Sequence, residues 1–131
     1  MLIALGTAVL GVLAAVAVFV LVLEPQWCRR EVEGWPRRPF STDAWRAQES
    51  DRKEFVHDLI ASRRLDGLGR ADALALLGDP DRTDDDDGED LVYWLGPADC
   101  HFSADDWLFR VAIDAGGRVS RYGIESDLGD D

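Results

Sequence analysis

The first 23 residues contain no charged side chain, and that one fact limits what the rest can become. Leu2 to Leu23 is a run of Leu, Val, Ala, Ile and Phe broken only by two glycines and a threonine. As a helix its 22 residues would measure about 33 Å, enough to span a bilayer. A cleaved signal peptide is the rival reading. It fits less well, because no Lys or Arg precedes the run, the run is too long, and no small-x-small site follows it. Acylation at Cys28 is disfavoured too, since Pro25, Gln26 and Trp27 stand where small residues would be expected. We therefore expect an uncleaved anchor over residues 1–23, with Trp27 as an interfacial aromatic.

Setting aside those 23 of the 131 residues leaves 108, room for one small domain with one core. Residues 24–40 hold four Arg and three Glu, a net of +1, so of the total charge of −12 residues 41–131 carry −13. A domain that acidic repels phosphate backbones, which argues against nucleic acid as a partner and for a basic or zwitterionic protein surface. Arg29, Arg30, Arg37 and Arg38 follow the apolar run closely, and the positive-inside rule taken alone puts the following domain in the cytoplasm. The two cysteines, Cys28 and Cys100, make no disulfide framework; two ordinary thiols are expected, with a Cys28–Cys100 bridge as the rival reading.

Residues 24–40 read as a juxtamembrane connector, stiff and extended from Glu31 because of Gly34, Pro36 and Pro39. Ser41 or Asp43 can cap a helix running to about Arg64, with Trp45, Gln48, Arg52, Phe55, Val56, Leu59 and Ile60 on one stripe. Its amino half is polar, so packing should be tightest from Phe55 onward, with Trp45 a separate anchor near the start. A second, short helix is bracketed by Gly67 and Gly69 before it and Gly78 with Pro80 after it, and carries Ala73, Leu74, Leu76 and Leu77 at helical spacing. Two turns are marginal alone in water, so this helix needs a platform.

The β-patterned segments downstream supply one. Leu91 to Leu95 reads as a strand stopped by Gly96-Pro97. Trp107, Phe109, Val111 and Ile113 alternate with Leu108, Arg110, Ala112 and Asp114, the strongest strand signal in the chain. A turn at Ala115-Gly116-Gly117 leads into a third strand over Arg118 to Glu125. Val119 and Ile124 differ in parity, so a bulge is expected, with Gly123 its natural site. The fold class is thus α+β: an anchor, then two helices on one face of a three-stranded antiparallel meander (ααβββ) over residues 41–125, then an acidic tail over 126–131.

The soluble part resembles small envelope domains of the SmpA/OmlA type, the family of the outer-membrane assembly factor BamE. The residues that carry the resemblance are Gly67, Leu76-Leu77-Gly78-Asp79-Pro80-Asp81, Tyr93-Trp94-Leu95-Gly96, Ile113-Asp114 and Gly117-Arg118-Val119. It covers residues 65–124, roughly half the chain. The resemblance implies a periplasmic protein-binding role in envelope assembly or maintenance, with no catalytic residues. Two departures stand out: the family has a lipid-modified cysteine after a short signal, and Gly69 occupies a position that often carries a Ser or Thr cap.

Asp79 to Asp90 holds eight acids in twelve positions, with Arg82 the only base. An EF-hand loop with its glycine at 88 would need acids at 83, 85 and 87 and a Glu at 94, where Thr83 and Trp94 disqualify two places. A solvated loop that docks a basic partner through Asp84, Asp85, Asp86 and Asp87 is expected, with a loose cation sensor as the alternative. His57, Cys100 and His101 form no recognisable nucleophile or zinc pattern, and His57 should face solvent. No enzyme activity, cofactor or metal site is expected. If Tyr93 faces inward, Val92 and Trp94 lie on the free face of the sheet beside Leu108 and Ala112, and an exposed Trp94 there would mark a partner surface; ordinary packing against the first helix is the alternative.

Overall fold

The structure is a computed structural model that describes residues 12–13, 24–47, 49–83, 90–98 and 105–126. Its chain divides into two compact units, residues 1–34 with 99–102 and residues 35–98 with 103–131. The anchor expected over residues 1–23 lies outside the described residues except for Val12 and Leu13, which are helical and exposed. No described helix is long and apolar enough to cross a membrane.

In the first unit the described element is helix α1 (Glu24–Glu33), which closes on Gly34 N–H bonds to the Arg30 and Glu31 carbonyls. This corrects the expectation of an extended connector from Glu31. Gly34 and Pro36, not the connector as a whole, stop the helix. Cys28 on α1 is buried and disulfide-bonded, against the expectation of two free thiols; the chain's other cysteine is Cys100.

The second unit opens with an extended stretch held down along its length. Trp35 meets Trp107 edge-on at 5.8 Å, Arg38 N–H donates to the Glu54 carbonyl at 2.9 Å, and Phe40 N–H donates to Asp58 Oδ2 at 2.7 Å. The helix expected to run from a cap at Ser41 or Asp43 to about Arg64 is instead three short pieces: α2 (Thr42–Ala47), a 3-10 helix (Glu49–Glu54) and α3 (Val56–Ala61). Ser41 Oγ accepts the Ala44 N–H at 3.1 Å, the capping role foreseen for it. Trp45 is fully buried, the separate anchor expected near the start of the stripe.

Helix α4 (Arg70–Leu77) is the short helix expected from the glycine brackets. Ala73 and Leu77 are buried, and the Gly78 N–H caps the end by donating to the Leu74 carbonyl at 2.7 Å. Its start rests on a β-hairpin: Arg70 N–H donates to the Gly117 carbonyl and Val119 N–H to the Leu68 carbonyl. The platform predicted for it is real.

The sheet is an antiparallel meander in the order β1 (Arg82–Thr83), β2 (Leu91–Ala98), β3 (Asp105–Ile113), β4 (Val119–Ser126). Its three long strands are those expected, and two-residue β1 is an addition inside what read as acidic loop. Gly96-Pro97 does not stop β2. A bulge at Leu95, between the pairs Trp94–Leu108 and Gly96–Trp107, precedes the glycine, whose φ is 135°, and β1 pairs along β2 only as far as Val92, so among the described residues no neighbour needs an N–H from Pro97 on that side. The parity change in β4 is real but sits at Ser120, between the pairs Ala112–Arg121 and Ile113–Val119. Gly123 pairs in register with Arg110.

This register puts Tyr93, Phe109, Val111, Tyr122 and Ile124 on the helix-covered face. Trp45 fills its centre, edge-on to Tyr93 at 6.0 Å and to Phe109 at 5.9 Å. Such pairs contribute about 1 kcal/mol each beyond the area they bury.

Candidate functional site

Two polar clusters stand out, one at each face of the sheet. On the helix side, the turn that ends α4 meets the 3-10 helix. Arg52, 3% exposed, donates from Nε to the Trp45 carbonyl at 3.0 Å and from Nη1 to Asp81 Oδ2 at 2.9 Å. Its guanidinium also lies over the Trp45 and Tyr93 rings at 5.4 and 5.5 Å. The same Asp81 oxygen accepts the Trp94 N–H at 2.7 Å, and the Asp81 N–H donates to the Val92 carbonyl. Tyr93 completes the ring of bonds, its hydroxyl donating to the Gly78 carbonyl at 2.8 Å. Burial pushes the Tyr93 phenol well above its ordinary range, with Arg52 opposing and Asp79 and Asp81 adding. It therefore stays a neutral donor, suited to holding the turn.

Arg52 appeared in the sequence only as one member of an apolar stripe. Its burial was signalled by its place between Trp45 and Phe55 at helical spacing, together with the nearby acids after Gly78.

The opposite face carries Val92, Trp94, Leu108, Arg110, Ala112, Arg121, Gly123 and Glu125. Arg110 sits between two carboxylates, with Nε 2.6 Å from Glu125 Oε1 and Nη1 3.6 Å from Asp90 Oδ2. Asp90 also accepts the Ile113 N–H at 3.0 Å, tying the cluster to the strand. Beside it, toward β4, lies a shallow cleft of about 250 Å³ lined by Arg110, Ala112, Arg121, Gly123 and Glu125 among others.

Trp94 lies on this face opposite Leu108, as expected, but it is only half-exposed. Val92, Leu108 and Ala112 are buried, so the apolar residues of this face are covered. Asp84, Asp85, Asp86 and Asp87 lie outside the described residues. His57 is half-buried rather than solvent-facing, 6.2 Å from the Trp35 ring. No group of three or more His, Cys, Asp or Glu side chains is placed to hold a metal among the described residues. Compared with known proteins, the chain matches no family model, no curated protein and no solved structure.

Proposed function

We propose that the chain is a membrane-tethered module that docks another protein and performs no chemistry of its own. The observation that carries this reading is how the polar groups of the two clusters are used. Arg52, Asp81, Tyr93, Asp90 and Arg110 all bond to backbone or to one another within the fold. What the unit offers a second molecule is then its surface, and over residues 41–131 that surface carries the −13 excess. The apolar run Leu2 to Leu23 supports the tether, and the SmpA/OmlA resemblance supports a binding role in the envelope. The partner that suits it presents a basic surface, met by Asp84 to Asp87 and by the sheet face around Trp94.

The disulfide at Cys28 supports an oxidising compartment, because thiols in the cytosol are kept reduced. On this reading the domain lies across the membrane from the cytoplasm, and the arginines after the apolar run are an exception to the positive-inside rule. Two measurements test the proposal. Capture from membranes solubilised in a zwitterionic detergent should recover a basic protein that Asp84→Asn through Asp87→Asn together release; capture of nothing above background would sink the docking role. A maleimide-polymer gel shift should modify Cys28 only after reduction, and modification without reductant would remove the argument for the compartment.

A further inference from the structure

We infer that the free edge of β4 is a self-pairing surface, and that its occupant is the β4 strand of a second copy of this chain. This goes beyond the docking reading, which needs no second copy.

Among the described residues β4 is the last strand in the sheet order, and over Arg121 to Glu125 only β3 pairs with it. Near its start the outer edge is already taken, because Val119 N–H donates to the Leu68 carbonyl; the bulge at Ser120 then separates that covered part from the rest. What is left is a short edge with no proline or lysine, two of the devices that protect strand edges from pairing.

The residues on that edge match their own antiparallel copy. With Gly123 facing Gly123 of the second copy on a two-fold axis, Arg121 faces Glu125, Tyr122 faces Ile124, and each pair occurs twice. Directly opposed residues share a face, so both opposite-charge pairs fall on the face of the Arg110 cluster and both Tyr–Ile pairs on the helix face. Glu125 meets Arg110 through Oε1, which leaves Oε2 for an incoming Arg121. At the axis, a Cβ built on Gly123 would have no neighbour within 4 Å, so a side chain placed there has open space off the sheet face. Tyr122 and Ile124 are half-exposed, and a second copy would cover them.

The test uses the full-length chain in its membrane, expressed with two different tags and carrying a photo-crosslinking phenylalanine derivative at Gly123, where a side chain meets open space. Irradiation should give a product at twice the 14.5 kDa chain mass that carries both tags. Arg121→Glu alone puts Glu against Glu at both pairs, and Glu125→Arg alone puts Arg against Arg; each should lower the yield about tenfold. Co-expressing an Arg121→Glu copy with a Glu125→Arg copy restores opposite charge at both pairs and should recover the mixed-tag product. Arg121 is exposed, so its substitution leaves the fold intact even if Glu125→Arg disturbs Arg110. The inference is overturned by no product at twice the mass, by a product with another protein, by yield unchanged in Arg121→Glu, or by a mixed pair no better than either variant alone.

Discussion

The two ends of α4 are fastened to the sheet in different ways. At its start the segment from Asp66 to Arg70 has a main-chain fastening, Arg70 N–H to the Gly117 carbonyl and Val119 N–H to the Leu68 carbonyl, which together make the bridge between Gly69 and Arg118; the Tyr122 and Arg118 side chains add exposed bonds to Asp66 and Gly67. At its end the turn from Gly78 to Asp81 is held mainly by side chains, Arg52 and Tyr93 above all. Main-chain bonds survive most substitutions because every residue supplies them. Side-chain bonds depend on one residue type at one position, so the chain is tolerant at one end of the helix and brittle at the other.

The largest expected effect tests the brittle end. Arg52→Ala removes a buried cation from Asp81, from the Trp45 carbonyl and from two aromatic faces, and should destabilise the domain by about 3 kcal/mol. Chemical denaturation reads it; a loss under about 1 kcal/mol would mean the turn holds without the arginine. Gly78→Ala should cost about 2 kcal/mol, because φ of 77° with ψ of −173° is a conformation almost confined to glycine. The Arg46 side chain, with Nε 3.0 Å and Cγ 3.1 Å from where the new Cβ would lie, would also have to shift. At the tolerant end, Arg118→Ala deletes only an exposed bond to the Gly67 carbonyl and should change stability by less than about 0.5 kcal/mol. A cost as large as that of Arg52→Ala would erase the contrast.

The smallest effect concerns pH at the tolerant end. The Asp66 carboxyl accepts a hydrogen bond from the Tyr122 hydroxyl, which holds it below the usual carboxylate range; desolvation opposes this and Arg63 adds to it. A carboxylate lowered by folding adds stability above its unfolded value of about 3.8, and that stability is lost as pH falls through the folded value. Asp66→Asn should therefore be slightly less stable than the parent at neutral pH, the difference closing as the medium is acidified. A gap that widens toward low pH would reverse the sign.

Periodicity made the sheet legible, because alternation in β3 leaves little choice of face, and the glycine brackets of α4 marked both its ends. The segment from Thr42 to Ala61 was harder. Trp45, Arg52, Phe55, Val56 and Leu59 fit an unbroken helical stripe, yet the chain breaks into three pieces. The stripe gives the buried face and not the winding between its members, and Arg52 reaches Asp81 from a tightened 3-10 turn. The bulges misled through glycine. Gly123 invited one but keeps an ordinary φ, whereas Ser120 takes the extra position without needing a left-handed backbone. At Gly96-Pro97 two residues that usually end a strand lie inside one, since β1 is too short to ask anything of the proline. For the candidate site, Trp94 was placed on the correct face, but its neighbours' burial depends on cover that no spacing rule reports. The disulfide at Cys28 was illegible, because two distant cysteines carry no information about proximity.

Eight residues are too few for α4 to persist without its neighbours, and its first turn begins on carbonyl and amide groups that belong to the hairpin of β3 and β4. The helix cannot outlast that hairpin. In a deuterium-exchange experiment the amides of Ala73 and Gly78 should open together with those of Asp114 and Val119, as one cooperative unit built from segments some forty residues apart in sequence.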